Sequence, residues 1–443
     1  MLTFGSTKTL RRKDVTDNQS MNKPERREAR RAVTAAVVGN VLEWYDFAIY
    51  AYMATVIARK FFPSGDEVTT LLSTFAAFGV GFVVRPLGGI LIGRLGDLKG
   101  RKTALLLTIA LMAAGTVLIG LIPSYETIGP AAPILIVIAR MLQGFSAGGE
   151  WGGSTAFIVE WAPENQRGFY GSLQQCSVAG GLLLGSAVAA LASTVLAAQT
   201  VDDWAWRIPF LLGGLLGPVG LYMRRNIGET PAFARVAQET TPAATSDVLA
   251  PAWLAARAFG FTILWSVSYY IVLAYMPTFL QKHVMLGRSE ALWATTAGLF
   301  ALVTTIPLSG LLSDRFGRKP LLLAACVAFM VLPYPLFELM LVGASLGTII
   351  AIQVALALGI ALYSGPGPAA IAEIFPTKGR STWMSTGYSL SVAMFGGFAP
   401  FVATWLIEKT GSLLSPAYYL MAAAAASTVV VLRLEESADK PLR

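Results

Sequence analysis
Apolar runs long enough to cross a bilayer follow one another from residue 33 to residue 433, cut by short polar or basic stretches. Six fall at 33–57, 69–93, 103–123, 131–160, 170–197 and 206–223. A polar stretch, 224–251, with Glu229, Thr230, Pro231 and Pro242, divides them from six more at 252–281, 289–312, 320–342, 346–373, 381–407 and 416–433. A bilayer core asks for about 20 apolar residues per helix, so each run predicts one span. With 55% apolar and only 14% charged residues over 443 positions, no single water-soluble core could hide this much apolar surface. The pattern predicts an all-α membrane protein of twelve transmembrane helices, with the lipid bilayer as its solvent.

The basic residues decide its orientation. A net charge of +8 could suit nucleic acid, but the basic residues sit in short clusters between apolar runs, and no nucleic-acid partner is expected. Arg94 to Lys102, Arg167, Arg224 and Arg225, Arg315 to Lys319, Lys378 and Arg380, and Arg433 follow every second run, which predicts that these loops and both termini are cytoplasmic. Arg59, Lys60, Lys282 and Arg288 on the other side leave the bias incomplete. The start, Met1 to Arg31, is polar and basic and reads as a cytoplasmic tail rather than a cleavable signal. The expected organisation is a tail (1–32), a first six-helix bundle (33–223), a cytoplasmic linker (224–251), a second bundle (252–434) and a short tail (435–443). Cys176 and Cys326 lie alone in apolar runs, without a CxxC or histidine companion, so no disulfide, metal site or cofactor is expected.

The halves repeat each other. Gly93-Arg94-Leu95-Gly96-Asp97-Leu98-Lys99-Gly100-Arg101-Lys102 aligns with Gly310-Leu311-Leu312-Ser313-Asp314-Arg315-Phe316-Gly317-Arg318-Lys319, each after the second run of its half. Glu160, Pro163 and Arg167 recur at the same spacing as Glu373, Pro376 and Arg380, each after the fourth. Two matches in corresponding places argue for parallel repeats about an axis along the membrane normal.

At these residues the chain resembles the major facilitator superfamily, whose signature is Gly-x-Leu-x-Asp-x-x-Gly-Arg-Lys. The stretches Gly39 to Phe47, Arg85-Pro86-Leu87-Gly88-Gly89, Gln143 to Glu150 and Trp206-Arg207-Ile208-Pro209-Phe210 narrow the resemblance to its metabolite:proton symporters. The second half is most similar to proline/betaine transporters, at Tyr269-Tyr270, Tyr275-Met276-Pro277 and Pro416 to Met421. Relatives carrying citrate, 2-oxoglutarate or shikimate are resembled at Gly149-Glu150-Trp151-Gly152-Gly153. The resemblance implies two six-helix bundles working by alternating access, a multi-pass protein of the bacterial inner membrane, no enzymatic activity, and function as a monomer. Osmosensory members carry a long C-terminal coiled coil; the stretch after 433 is too short for one, so regulation of that kind is not expected.

Charged side chains inside a span are costly and usually face a cavity or a partner. Glu43 and Asp46 lie one turn apart in the first run, with Tyr50 continuing their face. Arg85 sits late in the second run; Arg140, Glu150 and Glu160 are spaced by ten along the fourth. These predict that Asp46, Glu150 or Glu43 carries the coupled proton and that Arg85 or Arg140 holds a substrate carboxylate or pairs with that acid. Burial raises a carboxyl pKa and a nearby arginine lowers it, so substrate arrival could move the proton. Structural ion pairs between helices are the alternative. The aromatic residues Trp44, Tyr50, Trp151, Trp265, Tyr269, Tyr270, Trp383 and Tyr388 lie in spans that line the cavity in this superfamily, and a few could box a quaternary ammonium, although packing is the plainer role. The signature residues Gly93, Asp97, Gly100, Arg101, Asp314, Gly317 and Arg318 are expected to form gating loops, and Glu160 with Arg167 and Glu373 with Arg380 to form cytoplasmic gate pairs.

No Walker pattern accompanies the glycines around Arg85 and Glu150, which disfavours an ATP-driven pump. The expected function is proton-coupled uptake of a small carboxylate-bearing metabolite, foremost a zwitterion such as proline or betaine. Symport of di- or tricarboxylates, an uncoupled facilitator and a non-transporting sensor are the competing readings.

Overall fold
The computed structural model describes residues 23–99, 101–148, 151, 154, 155, 158, 159, 162–225, 252–375, 380–438 and 440. Every backbone polar group in lipid must be satisfied within its own segment, and the apolar runs accordingly form helices. Seven helices among the described residues are long and apolar enough to cross a membrane. There are eight if Arg318–Val331 and Pro333–Leu341, bent by 40°, make one span.

The other runs are helical but interrupted. The first breaks at Met53 into Lys23–Tyr52 and Ala54–Phe61. The apolar stretches Leu106–Leu121 and Ala131–Ala147 are shorter. Among the described residues two spans carry π-helical turns, Tyr269–Tyr275 between Ala252–Ser268 and Met276–His283, and Val392–Gly397 between Arg380–Ser391 and Ala399–Thr410, and a third such turn, Val201–Ala205, precedes Arg207–Arg225. Such turns rotate the register of a helix and recur at functional sites.

Helix ends carry their own punctuation. Asp66 caps Glu67–Val83 by accepting from the Thr69 N–H at 2.7 Å, and Ser345 caps Leu346–Ser364 from Thr348 at 3.2 Å. The signature aspartates lie in the last turns of helices rather than in loops: Asp97 within Arg85–Lys99 and Asp314 within Arg288–Phe316. In the second copy the turn between helices is Gly317 alone, at φ 97°, a conformation that disfavours any residue with a Cβ.

The first half (to residue 225) and the second half (from 252) meet mainly along Arg167–Val195 and Arg288–Phe316, with Glu67–Val83 against Ala399–Thr410 on another side. Within the first half, Glu67–Val83 and Ala131–Ala147 approach until backbone meets backbone. A Cβ on Gly144 would overlap the carbonyl of Gly81, and one on Gly148 the carbonyl of Arg85. Overpacking costs about 1–3 kcal/mol where side chains can yield and more where they cannot. Gly144→Val is therefore expected to lower the apparent Tm of the detergent-purified protein by several degrees, whereas Ile138→Val, at an exposed position of the same helix, leaves it unchanged. Equal melting of the two variants in a thermal-stability gel-filtration assay would refute the close-approach argument.

Candidate functional site
Two arginines are sunk in the first half. Arg140, 0% exposed, stands 4.7 Å from the ring centroids of each of Phe47, Tyr50 and Phe78. Arg85, 5% exposed, stands 4.3 Å from Phe82, 4.7 Å from Phe47 and 5.6 Å from Trp44. Phe47 thus lies between both guanidinium groups. Aromatic faces compensate part of the lost hydration of a cation, but they accept no hydrogen bonds in the plane of the guanidinium. Arg85 Nε and Nη2 and Arg140 Nε are left buried without partners. An acceptor with in-plane lone pairs, such as a carboxylate, is what these N–H groups lack.

Helix spacing explains the cage. Phe75, Phe78 and Phe82 recur at three and four residues on Glu67–Val83, and Phe47 and Tyr50 three apart on Lys23–Tyr52, so each set lines one face. Tyr270, from the π-helical turn of the second half, closes the cage edge-on, 5.2 Å from Phe82 and 6.1 Å from Phe78. Tyr50 is anchored by its hydroxyl to the Thr74 carbonyl at 3.1 Å.

A polar relay leads away from Arg140. Its Nη1 donates to Gln143 Oε1 at 2.8 Å, Gln143 Nε2 donates to Thr116 Oγ1 at 2.8 Å, and the Thr116 hydroxyl donates to the Met112 carbonyl at 3.1 Å. Thr116 also faces the carboxyl of Asp46, whose Oδ1 is buried without a hydrogen-bond partner. Asp46 and Glu43 line one small cavity of about 30 Å³ with Met112, Ser146 and Gly213. Tyr50 therefore serves the arginine cage, while Asp46 of the same helix faces Arg101–Leu121 and Arg207–Arg225, and Glu43, which lines the same cavity, also lies near Tyr270 and Tyr388 of the second half.

The other predicted aromatics form a second cluster, next to the cage. Trp151 and Tyr388 stack face to face at 3.4 Å and 4°, and Trp265 meets them edge-on at 6.1 and 6.2 Å. Trp265 Nε1 donates to Ser364 at 3.0 Å. Tyr269 is buried on the helical span that carries Trp265, and Trp383 packs at the rim of the core. Trp151 and Tyr388 belong to opposite halves, so their stacking joins the halves beside the cage. Sequence reasoning missed Phe47, Phe78, Phe82, Thr116 and Gln143; the turn between Arg140 and Gln143 was the available signal.

At the end of the molecule that carries the signature, the halves are tied by charge. Asp314 accepts from the backbone N–H groups of Gly168 and Phe169, each at 2.8 Å, at the start of Arg167–Val195, and from Arg318 at 2.7 Å. A carboxylate at a helix N-terminus also meets the positive end of its dipole. Glu373 lies 3.8 Å from Arg167 of the first half and 3.5 Å from Arg318. The segment after the last helix joins this knot. Glu436 caps Arg318–Val331 by accepting from the N–H groups of Arg318 and Lys319 at 2.9 Å, Ser437 donates to Glu373, and the Lys440 carbonyl accepts from Arg167 at 2.8 Å. Burial alone would push the Glu436 pKa up, but backbone donors from Arg318, Lys319, Ala438 and Ser437 outweigh it and hold the carboxyl below the ordinary glutamate value.

Gly100, Glu150 and Glu160 lie outside the described residues, as do the side chains of Asp97, Arg101 and Arg380 and the surroundings of Gly93.

Comparison with known proteins agrees with this architecture. The family Sugar (and other) transporter matches residues 32–249, and Major Facilitator Superfamily matches 258–443. A proline/betaine transporter of Escherichia coli K12 is 36% identical over 94% of this chain and 85% of its own length. A citrate-proton symporter of Klebsiella pneumoniae is 37% identical over 88% of each chain. Among solved structures, the xylose transporter XylE from E. coli, in a partially occluded inward-open conformation, aligns with TM-score 0.77 at 17% identity over 93% of this chain and 99% of that one. The chain is therefore a multi-pass membrane transporter, not an enzyme, and belongs to the major facilitator superfamily in the family that holds its proline/betaine transporters.

Proposed function
We propose that the protein is a proton-coupled symporter that takes up a small carboxylate-bearing zwitterion, of the proline or betaine type, across the bacterial inner membrane. The observation that carries the reading is the pair of buried arginines whose N–H groups lack acceptors inside an aromatic cage. A zwitterion supplies both complements: its carboxylate satisfies Arg85 or Arg140, and its cationic end suits the aromatic rings of Tyr270, Trp151, Trp265 and Tyr388. The likeness to proline/betaine transporters supports the same substrate class.

Asp46 is the proposed proton carrier, with Glu43 and Glu150 as the other candidate acids. Thr116 has one hydroxyl proton, which serves either the Met112 carbonyl or the Asp46 carboxylate, and its oxygen is held by Gln143, itself held by Arg140. A substrate carboxylate drawing on Arg140 would loosen Gln143 and thereby alter the hydrogen bonding available to Asp46, coupling the two sites. The helical runs are proposed to make twelve spans in two bundles, 33–223 and 252–434, joined by a cytoplasmic linker, with both termini and the signature end in the cytoplasm and a monomer as the working unit. The Asp314 and Glu373 knot, with Arg167, Arg318 and their first-half counterparts Gly93, Asp97, Gly100, Arg101 and Glu160, is proposed to be the cytoplasmic gate.

A second reading, proton symport of a di- or tricarboxylate, draws on the two neighbouring arginines and the citrate-proton relative. Proteoliposomes decide between them. Outside acidification is expected to drive labelled proline or betaine inward against its gradient, with citrate and 2-oxoglutarate competing weakly. Strong competition by citrate transfers the substrate assignment, and uptake that only equilibrates and ignores a protonophore sinks the symport reading.

A further inference from the structure
At the end opposite the signature, a cavity of about 550 Å³ opens between the halves, lined by Arg59, Lys282, Arg288, Thr55, Gln281 and Ser289 among others. Its charges are unevenly matched. Lys282 pairs with Glu67, and Glu290 accepts from the Gly287 N–H at 3.0 Å. Arg59 and Arg288 are left to share one carboxylate oxygen, Asp202 Oδ1, at 2.9 and 2.6 Å. Two guanidinium groups on one carboxylate are locally one negative charge short, with Glu290 of the same cavity turned to the Gly287 N–H, and Arg288 Nε is buried without a partner. Arg59 and Asp202 belong to the first half and Arg288 to the second, so this shared carboxylate also ties the halves together. Among the described residues no aromatic ring lines the cavity, in contrast to the arginine cage deeper in the molecule.

We propose that this cavity is a carboxylate antechamber, in which Arg59 and Arg288 capture the carboxylate of an arriving solute and exchange it for Asp202, releasing the tie between the halves. A guanidinium binds carboxylates through parallel N–H···O bonds, so an incoming carboxylate offers the same contacts as Asp202 and adds the missing charge. Because the walls lack aromatic rings, the antechamber reads the anionic group and ignores the ammonium; selection of the whole solute is left to the cage. The proposal rests on the transport reading only for its place in the route, since the chemistry of the cavity asks for a carboxylate whatever is carried.

The test is protection of an introduced thiol. Ala198 is exposed on the cavity wall, so Ala198→Cys in the purified full chain can be labelled with a polar maleimide, the unsubstituted protein giving the background from Cys176 and Cys326. Betaine and acetate are expected to slow labelling, and choline, which keeps the ammonium but has no carboxylate, is expected not to. Arg288→Gln should raise the half-protecting concentration of acetate about tenfold, and Asp202→Asn should lower it by about as much, because the competing carboxylate is gone. A tightened response cannot come from misfolding, so it stands even where Arg288→Gln fails to assemble. Arg140→Gln, which disables the cage, should leave acetate protection in place. Protection by choline equal to that by betaine, protection lost with Arg140→Gln, or indifference to Asp202→Asn each overturns the antechamber. Acetate protection without proline or betaine uptake upholds the antechamber and rejects the substrate reading, whereas uptake with no protection does the reverse.

Discussion
Asp46→Asn is expected to abolish proton-driven accumulation in proteoliposomes while substrate counterflow continues. The amide matches the carboxyl in shape, so the fit against Gly213 and Thr116 is kept and only the titratable proton is removed. One charge moved across the membrane is worth about 2.3 kcal/mol per 100 mV, so a carrier stripped of its coupling proton forfeits about fiftyfold accumulation for every 100 mV. Counterflow needs only the exchange of loaded carriers and does not draw on that gradient. Paired measurements of the accumulation ratio and of counterflow on the same vesicles separate the cases. Equal loss of both assigns Asp46 to binding or folding instead of coupling.

The second large effect is expected from Asp314→Asn. The native carboxylate accepts from two backbone N–H groups and from Arg318, with side-chain exposures of 8% and 2% for the pair, so solvent screens them little. An asparagine offers one acceptor oxygen, turns an amide N–H₂ toward one of these donors and leaves Arg318 without that counter-charge. Hydrogen bonds to charged groups contribute about 1.5–3 kcal/mol each, which puts the shift away from the signature-closed state at roughly a hundredfold. Spin labels on the exposed Gln166 and Arg315, one in each half, should report a longer and broader distance in the variant, while labels on Asp203 and Glu290, beside the Asp202–Arg288 tie at the other end, report no lengthening. An unchanged distribution at both ends shows that Asp314 stabilises a helix start and does not hold the gate.

Much of the architecture could be read from residues alone, because lipid allows the backbone few solutions and the apolar runs therefore declare themselves as helices. The candidate arginines were legible for a related reason: a cation inside an apolar run needs a partner. What compensates them was not. Phe47, Phe78 and Phe82 look the same in sequence whether they face lipid or cradle a guanidinium, since apolar runs on both faces erase the periodicity that marks an inward side. The repeat also leaves pairing between the halves unread. Glu373 and Arg380 recur together within one half, yet Glu373 reaches Arg167 of the other half, a choice made by the packing of Arg167–Val195 on Arg288–Phe316. The signature aspartates were expected in loops because glycines flank them; helix geometry carries Asp97 and Asp314 into the final turns, where Asp314 can serve the first turn of a facing helix.

The segment from Glu436 to Lys440 has a practical consequence for anyone handling the protein. Its contacts with Glu373 and Arg167 place Ser437 and Lys440 within the knot joining the halves. On the proposed gating, an affinity tag or fluorescent fusion attached there is anchored to a part that must let go when the signature end opens, and its bulk would bias the transport cycle. Kinetics measured on C-terminally fused protein should be repeated after the fusion is cleaved.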